Sequence, residues 1–171
     1  MTPGDVSLLR FAFFAGIFVV LALVELRWPL QRKQERGLRW PTNLGLSVLN
    51  TLVLRLLGIA LPITTLASAA AMSANSGALL AVGVEGPWLQ FAGFVLLDAA
   101  VYAQHRLFHA VPFFWRFHQV HHADLTLDVS SAVRFHTIEI LLSQAWKIVV
   151  VVAVGVPPEA AFAFEIGRAH V

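Results

Sequence analysis

The sequence predicts an all-α fold, a polytopic membrane helical bundle formed by one domain. Its 171 residues are 58% hydrophobic and 13% charged, with a mean hydropathy of +0.74. That composition is too apolar for a soluble domain of this length. The apolar residues fall into runs long enough to cross a bilayer, separated by proline, glycine and basic residues. Six of the seven histidines lie between His105 and His136, and five of them form two tight groups. Imidazoles so crowded in an apolar chain point to a metal site held by helices.

The first run, Val6 to Val24, is broken only by Arg10. At 1.5 Å per residue it reaches roughly 28 Å, close to the thickness of the hydrocarbon layer. No small-residue cleavage site follows a short apolar core, so the run is read as an anchor and not a signal peptide. Arg27, Arg32, Lys33, Arg36 and Arg39 come next, flanked by Trp28 and Trp40. Basic loops face the cytoplasm, and tryptophan favours the interface.

A second apolar run covers Asn43 to Leu61, where Pro62 breaks the pattern. Ile63 to Gly86, rich in Ala, Ser and Gly, fits a far-side loop, a re-entrant segment or part of a bent hairpin. A third span starts near Pro87 and Trp88 and runs towards Tyr102. The last apolar stretch, Ile140 to Val156, ends at Pro157-Pro158. No repeat or linker divides the chain. With the basic loop in the cytoplasm, the second span exits and the third returns. His105 to His136 then lie on the cytoplasmic side with Arg106, Arg116, Arg134 and Lys147, provided Ile63 to Gly86 does not cross.

Histidine spacing gives the cluster its chemistry. Residues i and i+4 share a helix face, so His105 and His109 can reach one ion, and His118 shares a face with His121 and His122. A lone HxxxH is weak evidence, but HxxxH followed nine residues later by HxxHH is strong. Five nitrogen donors exceed what one tetrahedral zinc needs and suit a centre with more than one metal. The absence of cysteine removes thiolate zinc and iron–sulfur sites. His136 is a further candidate for the site, as ligand or as supporting donor. Asp98, Tyr102, His105 and His109 form one helical stripe, which makes Asp98 and Tyr102 candidates to support the ligands from behind. A carboxylate within a span is costly and is a functional candidate by default. It can accept the imidazole N–H that faces away from the metal.

Other residues have simpler readings. Phe113, Phe114, Trp115 and Phe117 are interfacial anchors or packing. Arg116 and Arg134 pair with carboxylates such as Asp124, Asp128 or Glu139. Glu25 and Asn43 need no more than a helix cap or an interfacial contact.

Three segments then match a known pattern: Asp98-x3-Tyr102-x2-His105-Arg106-x2-His109, Trp115-Arg116-x-His118-Gln119-Val120-His121-His122, and Arg134-Phe135-His136-x2-Glu139. Together they resemble the fatty acid hydroxylase and sterol desaturase superfamily, membrane enzymes with histidine-bound di-iron centres. The resemblance covers about Glu25 to Gly155 and is specific from Asp98 to Glu139. It implies two non-haem iron ions bound by His105, His109, His118, His121, His122 and His136. The implied reaction is O2-dependent hydroxylation or desaturation of a lipid. The implied partners are the lipid substrate, the membrane and an electron-donor protein, with no nucleic acid. The chain has no flavin or nicotinamide fingerprint of its own.

Two departures from the pattern stand out. Thr137 occupies a position where the family commonly has proline, and the family's further HxxHH box nearer the C-terminus is absent. Glu165 to Val171, EIGRAHV, resembles translated sequencing-adapter read-through. Residues 1–164 are therefore expected to be the native domain, the N-terminal part of an enzyme inactive in this form, and His170 is left out of the ligand set. The rival reading is a non-catalytic membrane metal-binding or metal-transport protein. A transporter would place its ligands near the bilayer midplane, whereas these follow the third span. A HExxH hydrolase needs glutamate where Arg106 stands.

Overall fold

The computed structural model describes residues 3–29, 36–57, 68–73 and 75–167, with side chains described for 12–29, 36–57, 68–73 and 75–165. Arg32, Lys33, the Pro62 break, the start of the Ala/Ser/Gly-rich segment and His170 lie outside the described residues, as does the side chain of Arg10.

Every regular element among the described residues is helical: α1 (Pro3–Arg27), α2 (Arg36–Leu56), α3 (Pro87–Ala110), α4 (Pro112–His118), α5 (Thr137–Val154) and α6 (Pro158–Gly167). A 3₁₀ turn covers Val129–Val133. Within the Ala/Ser/Gly-rich segment the described parts form short helical pieces at 68–72 and Ala78–Ala81. Ala78–Ala81, at four residues, is too short to cross a bilayer.

Proline and glycine set most of the boundaries. Pro87 and Pro112 sit in the first turns of α3 and α4, where a missing N–H costs nothing. Val111, the residue before Pro112, is held extended at φ −103° and ψ 118°, as the proline ring requires. That single residue ends α3 and lets α4 fold back beside it. Helix α5 closes on Gly155 in the left-handed region, φ 76°. Gly155 also lies against Gly77, and a Cβ on Gly155 would stand 2.3 Å from the Ser76 carbonyl oxygen.

The apolar core joins α3, α5 and α6. Leu97, Val151, Val156, Ala160, Ala161 and Phe164 pack there with Ala69 and Ala70. Two polar contacts fix α5 along α3: Trp146 Nε1 donates to the Ala100 carbonyl at 2.9 Å, and Gln104 Nε2 donates to Ser143 Oγ at 2.9 Å. Lys147 pairs with Glu165 of α6.

Outside this core the molecule is apolar on its surface. Phe13, Val19, Val20, Leu23 and Val24 of α1 are exposed, as are Val48, Leu49 and Leu52 of α2. Contiguous apolar surface on this scale marks a membrane or a partner. Among the described residues one helix, Thr137–Val154, is long and apolar enough to cross a membrane. Helix α2 carries Arg36, Arg39 and Arg55, and α3 carries Asp98, His105, Arg106 and His109, which lower their mean hydropathy.

Candidate metal centre

Helix α3 carries the first histidine group on its last two turns. His105 and His109 lie one turn apart with ring centres 4.7 Å from each other, as the i, i+4 spacing requires. The second group departs from the single helical face expected of it. His118 is the last residue of α4, and the chain then continues in tighter turns, with His121 N–H donating to the His118 carbonyl at 3.0 Å. A turn closed by i+3 bonds still returns the chain over itself, so His122 comes back beside His118.

Four histidines converge. The ligand atoms of His105, His109, His118 and His122 all lie within 4.8 Å of one another. His118 Nε2 stands 3.2 Å from His109 Nε2 and 3.2 Å from His122 Nε2. Nitrogens bound to one ion at about 2.1 Å, at angles between octahedral and tetrahedral, are about 3.0–3.4 Å apart. The two spacings from His118 therefore fit a shared metal ion, and an all-imidazole donor set suits iron, zinc, copper or nickel.

The electrostatics keep the His118 and His122 rings neutral. Burial, together with the neighbouring imidazoles led by His105, lowers the pKa of His118 to about 3. Burial and then His121 lower that of His122. Neutral rings offer lone pairs, which is the state metal binding needs. His118 Nδ1 lies 2.6 Å from Glu139 Oε1, both side chains being buried. A carboxylate at that atom makes Nδ1 the donor and leaves Nε2 with its lone pair facing the cluster.

His121 is adjacent but outside this group of four. Its Nδ1 lies 3.2 Å from the Arg134 carbonyl, which makes it the donor, and its ring stacks on Phe135 at 4.5 Å. Its centre is 5.1 Å from that of His122. His136 is placed differently. It is the N-cap of α5, with Nδ1 accepting the Ile138 N–H at 3.1 Å, and its ring lies 5.2 Å from Phe117.

Asp98 and Tyr102 lie on α3 as the stripe requires. Together with His105, His118, His121 and Glu139 they line a cavity of about 370 Å³ between α3 and α5. Its walls also include Val101, Phe108 and Phe135.

A polar network behind the cluster holds the second histidine group in place. Arg39 grips Asp124 at two points, 2.9 and 3.2 Å, and is 3.1 Å from Asp128. Asn43, fully buried, donates to Asp124 at 3.0 Å and to Ser130 at 2.9 Å. Arg134 reaches Asp124 at 3.2 Å, and Glu25 accepts the Val129 N–H at 2.9 Å. The hydrogen bond from Arg39 is the main reason Asp124 is held down at about 2.

Of the carboxylates offered as partners for Arg116 and Arg134, Asp124 pairs with Arg134, whereas Glu139 meets His118. Sequence reasoning read Asn43 and Glu25 as ordinary span-end residues. The signal for Glu139 was present in its spacing, three residues after His136 at the start of a helix.

Residues 90–170 match the family model for fatty acid hydroxylase. The chain is 31% identical over 74 residues to alkylglycerol monooxygenase of Homo sapiens, an alignment covering 43% of this chain and 16% of that protein. The chain thus matches less than a fifth of that relative's length. No solved structure matches.

Proposed function

Because residues 90–170 place this part of the chain in the fatty acid hydroxylase superfamily, we propose that the protein is a membrane non-haem di-iron oxygenase acting on a lipid. It hydroxylates or desaturates a sterol, a fatty acyl chain or a related molecule with O2 and external electrons. The observation that carries the proposal is the convergence of four imidazole ligand atoms within 4.8 Å beside a mixed apolar and polar cavity.

Bound iron would supply the oxidant for an unactivated C–H bond, chemistry beyond any side chain. Hydroxylation puts one oxygen atom of O2 into the C–H bond and releases the other as water, which takes two electrons and two protons from outside. An electron-donor protein is therefore a partner. His105, His109, His118 and His122 would hold the first metal. His121 stands beside them for the second, its Nδ1 engaged by Arg134 so that Nε2 is its free donor atom. Val101, Phe108 and Phe135 present apolar surface to the substrate, and Asp98 and Tyr102 line the same cavity.

The exposed apolar faces of α1 and α2 and the span-competent α5 support a polytopic membrane arrangement. The site is assigned to the cytoplasmic face by the positive-inside rule. Arg39 supports this, since it follows the basic loop and bonds directly to the turn after His122.

The test is metal identity and chemistry together. Expressed in iron-replete cells, the chain is expected to purify from membranes with iron. The whole gene's product is expected to oxidise membrane lipid in the presence of O2 and a reductant system. Stoichiometric zinc without iron would overturn the oxygenase reading and leave a metal-binding protein.

A further inference from the structure

We infer that Glu139 is a positioning residue of the metal centre, which accepts a hydrogen bond from the Nδ1–H of His118 and so commits the Nε2 lone pair to the point where His109 and His122 converge. The inference rests on the metal-centre reading above and extends it to a residue on a different helix.

Glu139 lies in the first turn of α5, and His118 ends α4, 21 residues earlier. The contact between them is short, 2.6 Å, and shielded: Glu139 is 4% exposed and His118 2%. Arg134, close in sequence, and Arg39 are engaged elsewhere. Arg134 bonds Asp124 and Asn43, while Arg39 holds Asp124 and Asp128. Among the described contacts the side-chain partner of Glu139 is thus an imidazole. Its second oxygen, Oε2, is buried with no hydrogen-bond partner.

A buried carboxylate with one oxygen unsatisfied is expensive for a fold to keep. A cation one imidazole away offsets that cost, because the negative charge raises the basicity of the ring that binds it. Only one ring orientation puts Nδ1 on Glu139 and Nε2 3.2 Å from both His109 and His122. Charge and geometry therefore favour the same tautomer.

A simpler role competes. His136 caps α5 and Glu139 stands three residues later, the position of a helix-capping glutamate. A capping role and a positioning role differ in what they do to the metal-free protein. A cap stabilises it, whereas a carboxylate kept for the metal burdens it.

The experiment uses the 171-residue chain in detergent, with Co(II) as the probe, and compares wild type, Glu139→Leu and Glu139→Gln. Ligand-field bands report Co(II) binding, and thermal melting reports the metal-free protein. The expected result is a loss of about 10–100-fold in Co(II) affinity for Glu139→Leu, with the metal-free melting temperature unchanged or raised. Glu139→Gln, whose amide oxygen still accepts a hydrogen bond from the Nδ1–H, is expected to recover affinity to within about tenfold of wild type, with shifted bands. Wild-type Co(II) affinity in Glu139→Leu would overturn the inference. So would equal losses in both variants together with a lowered metal-free melting temperature, which is the signature of a cap. If Glu139→Leu does not fold, Glu139→Gln decides alone: shifted bands with unaltered metal-free melting support the role, and wild-type bands overturn it. A wild-type chain that binds no Co(II) overturns the metal-centre reading and the inference with it.

Discussion

Arg39 on α2 and Asp124, two residues after His122, form a two-point ion pair with Nε to Oδ1 at 2.9 Å and Nη2 to Oδ2 at 3.2 Å. The pair joins residues 85 positions apart and fixes the turn that carries His121 and His122 against a helix that supplies no ligand. Fork-to-fork geometry of this kind constrains direction as well as distance. Asn43, Ser131 and Arg134 complete the shell around the same carboxylate. The second histidine group, which leaves its helix at His118, is thereby held from outside by side-chain contacts.

Asp124→Asn is expected to destabilise the chain by about 1.5–3 kcal/mol, because it weakens the charge-assisted hydrogen bonds from Arg39 and Arg134 while Arg39 keeps Asp128. Arg39 is the partner most affected, with a side chain only 14% exposed. Thermal melting of the detergent-solubilised protein measures this, and an unchanged midpoint would show that the network is ornamental to stability.

The same carboxylate predicts a pH dependence. Asp124 is held at about 2, chiefly by its hydrogen bond from Arg39, whereas an unfolded aspartate titrates near ~4. Between those values the unfolded chain binds more protons than the folded one, so stability rises with pH across that window. The contribution is complete above the unfolded value and lost as pH falls through the folded one. Wild type and Asp124→Asn should therefore differ most above about pH 4 and converge towards pH 2. A difference independent of pH over this range would contradict the assignment.

The helices and the first histidine group were legible in the sequence because they rest on local periodicity. His105 and His109 follow from a one-turn spacing, and α5 ends at Gly155, two residues before the Pro157-Pro158 stop expected, whereas the break of α3 before Pro112 emerges only in the fold. The supporting shell was not legible, because it pairs distant residues. Nothing near Asn43 announces that Asp124 and Ser130 will meet it, and its burial arises only when α2 packs on the 3₁₀ turn. Charge alone does not choose among Asp124, Asp128 and Glu139 as arginine partners; Arg134 takes Asp124, and the burial of Glu139 next to His118 is a property of the fold. His136, whose company in sequence suggested a place at the site as ligand or supporting donor, caps α5 through its Nδ1.

Gly155→Ala is expected to be among the most damaging small substitutions. The residue has φ 76°, and the new Cβ would stand 2.3 Å from the Ser76 carbonyl oxygen. The left-handed conformation alone costs about 1–2 kcal/mol for alanine, and the clash requires the backbone of α5 or of the 75–77 turn to move. Gly45→Ala is the control, since nothing lies within 4 Å of its Cβ position. It should be neutral or slightly stabilising, as alanine is the better helix former. Equal melting of the two variants would show that the Gly77–Gly155 approach is not as close as described.

Single alanine substitutions of the histidines should separate ligands from supports. His105→Ala, His109→Ala, His118→Ala and His122→Ala each remove one of four converging nitrogens, and each should lose iron from the purified protein. His118→Ala should be the most severe, because its Nε2 is 3.2 Å from two other ligand nitrogens and it alone contacts Glu139. His121→Ala should lower the iron content without abolishing it, by removing a donor beside the group of four. His136→Ala should retain metal and instead lose about 1 kcal/mol of stability, the usual worth of an N-cap, since its Nδ1 accepts the Ile138 N–H at 3.1 Å. Iron analysis alongside thermal melting distinguishes the two classes. Loss of iron in His136→Ala at unchanged stability would return His136 to the ligand set, and retention of iron in any two of the central four would remove them from it.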